Sequence, residues 1–262
     1  MSGMLVQAVD GRGVATVTLN RADVHNAFDD ALIAEIDGCF AALDADPAVR
    51  LIVLAAAGAS FSAGADLNWM KRMAGFSEAE NEADARALAR MLRRIYETAK
   101  PTVARVQGAA FGGGVGLVAA CDMAIASERA KFSLSEVKLG LSPSTISPYV
   151  LAAIGPRAAG RYFVTGERFD AETALRLGLV HEVATADALD GAVVRLIDEL
   201  LQGGPAAQRA TKGLIREVAG RPIDEALGHD TARRIAALRA SPEGREGVGA
   251  FLEKRRPAWR TD

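Results

Sequence analysis

The chain contains the stretch Phe111-Gly112-Gly113-Gly114-Val115-Gly116-Leu117 shortly after an apolar run, Thr102-Val103-Ala104-Arg105-Val106. The apolar run predicts a buried strand, and the apolar residues after the glycines predict a helix. Glycine permits positive φ and leaves backbone N–H groups uncovered by side chains at the junction. The stretch therefore predicts a strand–turn–helix unit whose turn can approach an anionic oxygen closely.

A second turn of the same kind lies upstream, at Phe61-Ser62-Ala63-Gly64-Ala65-Asp66-Leu67, after the apolar run Leu51-Ile52-Val53-Leu54. Two such turns can direct two backbone N–H donors at one oxygen. That arrangement is an oxyanion hole, which stabilises charge that develops in a transition state. The pair of turns predicts an enzyme.

Three interpretations of the Gly112–Gly116 turn remain open on the residues alone. Residues 114–119 fit a dinucleotide fingerprint, and Glu136 follows at a suitable distance, but the motif lies mid-chain and behind another glycine turn. The glycines could instead serve only close packing of a helix on a strand. The third interpretation is an oxyanion hole with Glu136 as its acid/base partner; no G-x-S-x-G elbow favours covalent acyl transfer.

Composition narrows the class of protein. The 262 residues carry 31 basic and 33 acidic side chains, a formal net charge of −2, which gives no support for a nucleic-acid partner. Cys39 and Cys121 lie in apolar helical contexts and are predicted to be core residues, and the three histidines have no metal-ligand spacing. We expect no metal site, no membrane partner and no secretory signal, hence a cytoplasmic location.

Strand and helix patterns alternate along residues 1–202, which predicts an α/β core. The joint Gly203-Gly204-Pro205 follows, and the remaining residues read as almost wholly helical. We therefore expect two parts, a core at 1–202 and a helical C-terminal region at 203–262.

Four ordered motifs identify a family that the chain resembles. They are Thr18-Leu19-Asn20-Arg21 with Asn26-Ala27, Phe61–Leu67, Ala110-Phe111-Gly112-Gly113-Gly114 through Cys121-Asp122, and Glu136-Val137-Lys138-Leu139-Gly140-Leu141. The tail Phe251–Pro257 is also of this type. Together they resemble the crotonase, or enoyl-CoA hydratase/isomerase, superfamily over nearly the whole chain.

The resemblance implies a spiral of ββα units, with C-terminal helices that assemble a homotrimer or a hexamer. It implies a coenzyme A thioester as substrate and no separate cofactor. The N–H groups of Ala65 and Gly113 would form the oxyanion hole, and Glu136 would be the catalytic acid/base. The residues implied to bind substrate or coenzyme A are Ala63, Asp66, Leu67, Asn68 and Lys254. Asp66 is equally suited to be a helix N-cap.

The chain departs from the family pattern at one catalytic position. Typical hydratases of this family use two glutamates, but Gly116 occupies the position of the first, so only Glu136 remains. One carboxylate could take the proton of water and deliver it to the same face of the substrate. Alternatively, a hydroxyl from the run Ser142, Ser144, Thr145 and Ser147 supports the water, although turn chemistry explains that run as well.

Two further stretches, 134–149 and 161–170, resemble bacterial 3-methylglutaconyl-CoA hydratases of leucine catabolism and the related isohexenylglutaconyl-CoA hydratases. Their substrates carry a free carboxylate, for which Lys71 and Arg72 are candidate partners. We expect a lyase that adds water to an α,β-unsaturated acyl-CoA, with 3-methylglutaconyl-CoA as the candidate substrate. The alternative is a decarboxylase or double-bond isomerase of a glutaconyl-type thioester. An RNA- or protein-binding role is disfavoured by the near-neutral charge.

Overall fold

The computed structural model describes residues 3–260 as a mixed α/β fold, as the sequence predicts. The strands are β1 (Leu5–Val9), β2 (Val14–Leu19), β3 (Leu51–Ala56), β4 (Thr102–Val106), β5 (Ala110–Phe111), β6 (Met123–Ser127), β7 (Lys131–Ser133), β8 (Arg168–Asp170) and β9 (Glu182–Ala184). The helices are α1 (Asp30–Ala45), α2 (Leu67–Met73), α3 (Glu78–Glu97), α4 (Gly113–Ala120), α5 (Ser147–Thr165), α6 (Ala171–Leu177), α7 (Leu189–Gln202), α8 (Pro205–Val218), α9 (Glu225–Ala240) and α10 (Pro242–Leu252). Short 3-10 helices cover Ala22–Val24 and Ser135–Leu139.

Two sheets organise the strands. The larger has the order β1-β2-β3-β4-β6-β9, in which β1 is antiparallel to β2 and the other neighbours are parallel. The smaller has the order β5-β7-β8, with β5 parallel and β8 antiparallel to β7. Since the carboxyl ends of parallel strands share one edge, the loops after β3 and β4 begin at the same edge of the larger sheet.

Apolar periodicity accounts for the core. Every residue of β3 is buried, as expected for a parallel strand covered on both faces. Helix α1 buries a single stripe of residues at helical spacing, namely Leu32, Ile33, Ile36, Phe40 and Leu43. Cys39 and Cys121 are predicted to be core residues, and this prediction is wrong in part. Both are only half-buried and pack against the edge of the core.

Local signals at helix ends also match the structure. Ser77 and Glu80 form a capping box at the start of α3, with the Ser77 N–H 2.8 Å from Glu80 Oε2. Asp170 caps α6 by accepting a hydrogen bond from the Thr173 N–H, and Gly178 ends that helix with φ +85°. In the sequence, Asp170 as N-cap and Gly178 as C-cap predict a helix over Ala171–Leu177, and the structure confirms these bounds.

The chain divides into two compact units. One consists of residues 3–98 and 102–194 and contains both sheets; the other consists of 99–101 and 195–260. In the second unit the buried Lys212 ammonium donates to the Lys100 carbonyl at 3.0 Å. The sequence-based boundary between 202 and 203 coincides with the gap between α7 and α8 and stays a prediction. Within residues 3–260, no helix has the length and apolar character that crossing a membrane requires.

Candidate active site

The first glycine turn presents the Ala65 N–H. Phe28 donates its N–H to the Gly64 carbonyl at 2.8 Å, and Asp66 donates to the Phe28 carbonyl at 3.0 Å. These two bonds hold the segment around Ala65 in a strand-like bridge to Phe28. The Ala65 N–H between them has no acceptor among residues 3–260, so it is available to a ligand.

Asp66 is the N-cap of α2. Its Oδ1 accepts hydrogen bonds from the Asn68 N–H at 2.8 Å and the Trp69 N–H at 3.3 Å, and its Oδ2 accepts from Arg21 at 3.1 Å. Burial opposes ionisation, but these donors together lower the pKa of the Asp66 carboxyl below its ordinary value. The carboxylate is thus engaged in holding the start of α2, and a contact of Asp66 with coenzyme A stays a prediction.

The other residues expected along the coenzyme A path flank Asp66. Ala63, Leu67 and Asn68 are all exposed, with Leu67 74% exposed although it is apolar. They share one loop and the first turn of α2, so the structure brings them together. Their contact with coenzyme A also stays a prediction.

The second glycine turn presents the Gly113 N–H. Gly112 has φ +51° and donates its N–H to the Ser133 carbonyl at 2.8 Å, which fixes the turn against β7. Gly113 begins α4, and the first N–H groups of a helix have no acceptor within it. Among the residues that the structure describes, the Gly113 N–H has no other acceptor either.

The two turns lie against each other. Ser62 and Ala110 form a strand-like bridge, and a Cβ placed on Gly64 would lie 2.8 Å from the Phe111 carbonyl oxygen and 3.6 Å from the Gly113 nitrogen. Only glycine permits this approach. The structure therefore places both expected donors, Ala65 and Gly113, on neighbouring segments; their joint binding of one oxygen stays a prediction.

Glu136 lies beside the second turn, in the 3-10 helix that follows β7. A Cβ placed on Gly112 would be 3.1 Å from Glu136 Oε1. The carboxyl group is half-buried, and its buried Oε2 accepts no hydrogen bond from any residue of the described range 3–260. Burial raises the pKa of Glu136 above its ordinary 4.5, and its own backbone N–H offsets this only in part. A carboxyl whose pKa is raised in this way is better suited to proton transfer than a fully solvated one.

The raised pKa predicts a pH-dependent stability difference. The folded protein holds the Glu136 proton more tightly than the unfolded chain, so this group favours folding most below its ordinary pKa of 4.5. That contribution is lost as pH rises through the raised pKa. We expect the melting temperature of Glu136→Gln to exceed that of the wild type by more at about pH 8 than at about pH 4. An equal difference at both pH values would contradict the raised pKa.

Aliphatic side chains fill the space beside Gly116, the position at which the family pattern predicts a glutamate. A Cβ placed on Gly116 would lie 2.3 Å from Ile146 Cγ2 and 3.5 Å from Leu92 Cδ2. The sequence predicts that Gly116 departs from the family pattern, but it does not predict that Ile146 lies beside it. The available signal was a large apolar residue at 146, fully buried in the structure, inside a run of serine, threonine and proline.

The hydroxyl run near Ile146 closes a turn. The Ser142 and Ser144 hydroxyls are hydrogen-bonded at 2.5 Å, and the Ser147 hydroxyl donates to the Ser144 carbonyl at 2.8 Å. These bonds shape the entry into α5, in keeping with the turn-chemistry explanation. Support of a water molecule by this run, Thr145 included, stays a prediction.

Three cationic side chains are expected to contact the substrate or its coenzyme A, and all three are exposed. Arg72 is exposed and forms an ion pair with Asp30, and Lys71 is exposed at the end of α2. Lys254 belongs to the second unit, where it follows α10, is exposed and has φ +55°. Their substrate contacts stay predictions. Within residues 3–260, no group of three or more His, Cys, Asp or Glu side chains could hold a metal ion.

Known proteins are similar to this chain in both sequence and fold. The sequence model of the family described as "Enoyl-CoA hydratase/isomerase" matches residues 10–262. The crotonyl-CoA hydratase of Syntrophomonas wolfei is 32% identical over 93% of this chain and 93% of its own length. The crystal structure of an enoyl-CoA hydratase from Shewanella pealeana has 46% identity and a TM-score of 0.95, covering 98% of this chain and 96% of that one. An enoyl-CoA hydratase from Mycobacterium smegmatis has 36% identity and a TM-score of 0.93, covering 99% and 100%. With this fold and these motifs, the chain belongs to the enoyl-CoA hydratase/isomerase family of the crotonase superfamily.

Proposed function

We propose that this enzyme hydrates an α,β-unsaturated acyl-CoA through a single carboxyl group, and that 3-methylglutaconyl-CoA is its substrate. The observation that carries the proposal is Glu136, half-buried with a raised pKa beside a glycine turn whose Gly113 N–H has no acceptor among residues 3–260. Relatives named as hydratases of enoyl-CoA and crotonyl-CoA support the reaction class. Membership of the family supports a coenzyme A thioester as substrate.

The reaction needs one oxyanion site and one proton carrier. The thioester oxygen accepts hydrogen bonds from the Ala65 and Gly113 N–H groups, which stabilises the enolate formed when oxygen adds to Cβ. Glu136 takes the proton of the attacking water and then gives it to Cα. Oxygen forms the new bond to Cβ, the C=C electron pair moves to the enolate, and the carboxyl group ends as it began. No cofactor beyond the coenzyme A of the substrate enters this scheme.

The choice of 3-methylglutaconyl-CoA rests on the stretches 134–149 and 161–170, which resemble the hydratases of that thioester. Ile146 lies within the first stretch and fills the space beside Gly116. A pocket with one carboxylate in place of two also avoids a second negative charge near the free carboxylate of such a substrate. We further propose a trimer or a hexamer as the assembly.

A decarboxylase is the second candidate, and one observation favours it. Ile146 and Leu92 occupy the space beside Gly116, so the position at which the family pattern predicts a second glutamate supplies no proton donor. Decarboxylation of a glutaconyl-type thioester needs no attacking water: the substrate releases its own carboxylate as carbon dioxide, and one acid protonates the resulting dienolate.

The test follows the loss of the conjugated enoyl-thioester absorbance with purified enzyme. We expect kcat/KM for 3-methylglutaconyl-CoA to exceed that for crotonyl-CoA by about tenfold or more, because crotonyl-CoA lacks the second carboxylate and its contacts. Mass analysis should give a product heavier by one water. A product lighter by carbon dioxide would overturn the hydratase in favour of the decarboxylase, and equal turnover of both thioesters would overturn the choice of substrate.

A further inference from the structure

We propose that Ser62 and Asn26 are positioning residues that set the direction of the Ala65 N–H relative to the Gly113 N–H. The inference rests on the proposed function, because it assumes that both N–H groups bind one thioester oxygen. Both side chains are fully buried, although each is polar. Buried polar groups of this kind are costly unless every hydrogen bond is made, so their partners are informative.

Asn26 holds the loop that leads from β3 into the first turn. Its amide nitrogen donates to the Ala57 carbonyl at 2.8 Å and to the Ser60 carbonyl at 2.9 Å. Its amide oxygen accepts from the Arg21 N–H at 2.9 Å. A second amide, that of Gln107, donates to the same Ser60 carbonyl at 3.0 Å. Two side chains from different segments therefore fix the course of one loop.

Strain at this point shows how firmly the loop is held. His25 and Asn26 are consecutive non-glycine residues with φ +55° and +53°. Left-handed conformations are unfavourable for residues with a Cβ, and asparagine tolerates them best. Such strain persists where the surroundings impose it, and it concentrates near functional sites. Here the Asn26 amide and the Ala63 N–H, which donates to the His25 carbonyl at 2.9 Å, impose it.

Ser62 connects this loop to both turns. Its hydroxyl donates to the Asn26 carbonyl at 2.9 Å and accepts from the Gly64 N–H at 3.3 Å. Its own carbonyl accepts from the Phe111 N–H at 2.9 Å. It also packs so closely that a Cβ on Gly114 would be 2.5 Å from the Ser62 carbonyl oxygen.

The Ser62 hydroxyl and Phe28 together hold the two peptide units on either side of the Gly64 Cα. The Gly64 N–H, bonded to Ser62, lies in the first unit, and the Gly64 carbonyl, which accepts from the Phe28 N–H at 2.8 Å, lies in the second, which carries the Ala65 N–H. Ser62 also accepts a hydrogen bond from the segment just before Gly112 and Gly113. Ser62 thus lies between the two donors: its backbone carbonyl, which Ser62→Ala keeps, binds the second turn, and its hydroxyl, which Ser62→Ala removes, joins the Gly64 N–H to the Asn26 carbonyl.

The experiment compares Ser62→Ala and Asn26→Gly with the wild type. Asn26→Gly removes the amide but keeps a residue that adopts positive φ readily, so it separates side-chain bonding from backbone strain and remains informative if Ser62→Ala does not fold. The matched control is Ser127→Ala, because Ser127 is a buried serine whose hydroxyl also accepts from a backbone N–H, that of Arg129, outside the site. Each variant is first tested for cooperative thermal unfolding.

The probe is a cinnamoyl-CoA with a 4-dimethylamino group, whose absorption band moves to longer wavelength when its thioester carbonyl is polarised. We expect a clear red shift with the wild type and with Ser127→Ala. With Ser62→Ala and Asn26→Gly we expect a smaller shift and a kcat about 10- to 100-fold lower for enoyl-CoA hydration, with KM changed less than about threefold. A purely structural role would lower the melting temperature without changing the red shift.

Two results would decide against the inference. A folded Ser62→Ala or Asn26→Gly variant with the full red shift and full kcat would show that these residues do not set the donors. A wild type that binds the probe without any red shift would overturn the oxyanion hole itself, and with it both this inference and the proposed function.

Discussion

Replacing Glu136 by glutamine is expected to lower kcat for enoyl-CoA hydration by about a thousandfold, because general acid–base catalysis contributes roughly 10²–10⁴ and position 116, where the family pattern predicts a second carboxylate, is a glycine. Glutamine has nearly the same shape but can neither take a proton from water nor deliver one to Cα. KM should change little, since the Ala65 and Gly113 N–H groups proposed to bind the thioester are backbone groups.

The loss of enoyl-thioester absorbance measures this effect, and the mass of the product confirms that one water has been added. Glu128→Gln is the matched control: it makes the same chemical change at an exposed glutamate of the sheet-bearing unit. The control should keep wild-type kcat. If Glu136→Gln kept it as well, another group would have to be the acid/base, and the single-carboxyl mechanism would be wrong.

Local sequence signals predicted much of the fold. The buried stripe of α1, the Ser77 capping box and both ends of α6 depend on residues close in sequence, so periodicity and cap chemistry predict them. The short strands β5 and β8 carry no such signal. Strand β8 is defined by its pairing with β7, some forty residues away in sequence, so local patterns do not predict it. Its last residue, Asp170, is visible in the sequence only as the N-cap of α6.

In the candidate site, too, local motifs predict some residues, whereas contacts between distant segments are visible only in the structure. Motifs located Ala65, Gly113 and Glu136, because glycine at a strand–helix junction has a backbone reason that is visible in sequence. What fills the space beside Gly116 depends on the contact with Ile146, which only the tertiary fold reveals. The Asn26 and Ser62 hydrogen bonds are likewise invisible in sequence, since both residue types are ordinary in loops.

The contact between Gly116 and Ile146 leads to a prediction about placing a glutamate at position 116. Gly116→Glu is expected to destabilise the fold by roughly 4 kcal/mol or more and to add no hydratase activity. Overpacking of a core costs about 1–3 kcal/mol, and a carboxylate forced among aliphatic side chains adds desolvation. The clash with Ile146 Cγ2 occurs at Cβ itself, so no rotamer of the new side chain avoids it.

Urea unfolding measures the overpacking cost apart from the desolvation of the carboxylate. It is applied to a double-mutant cycle of Gly116→Ala and Ile146→Ala. Gly116→Ala introduces only the Cβ and should destabilise, although alanine is normally the better helix residue by about 1 kcal/mol. Ile146→Ala alone opens a cavity and should cost about 2–4 kcal/mol. Combined, the two should cost less than the sum, because each relieves the other at one contact. Additive costs, or a stable Gly116→Glu variant with raised hydratase activity, would mean that Ile146 does not exclude a second carboxylate. The expected coupling would instead make Gly116 and Ile146 one structural unit, in which the glycine leaves open the space that the isoleucine side chain fills.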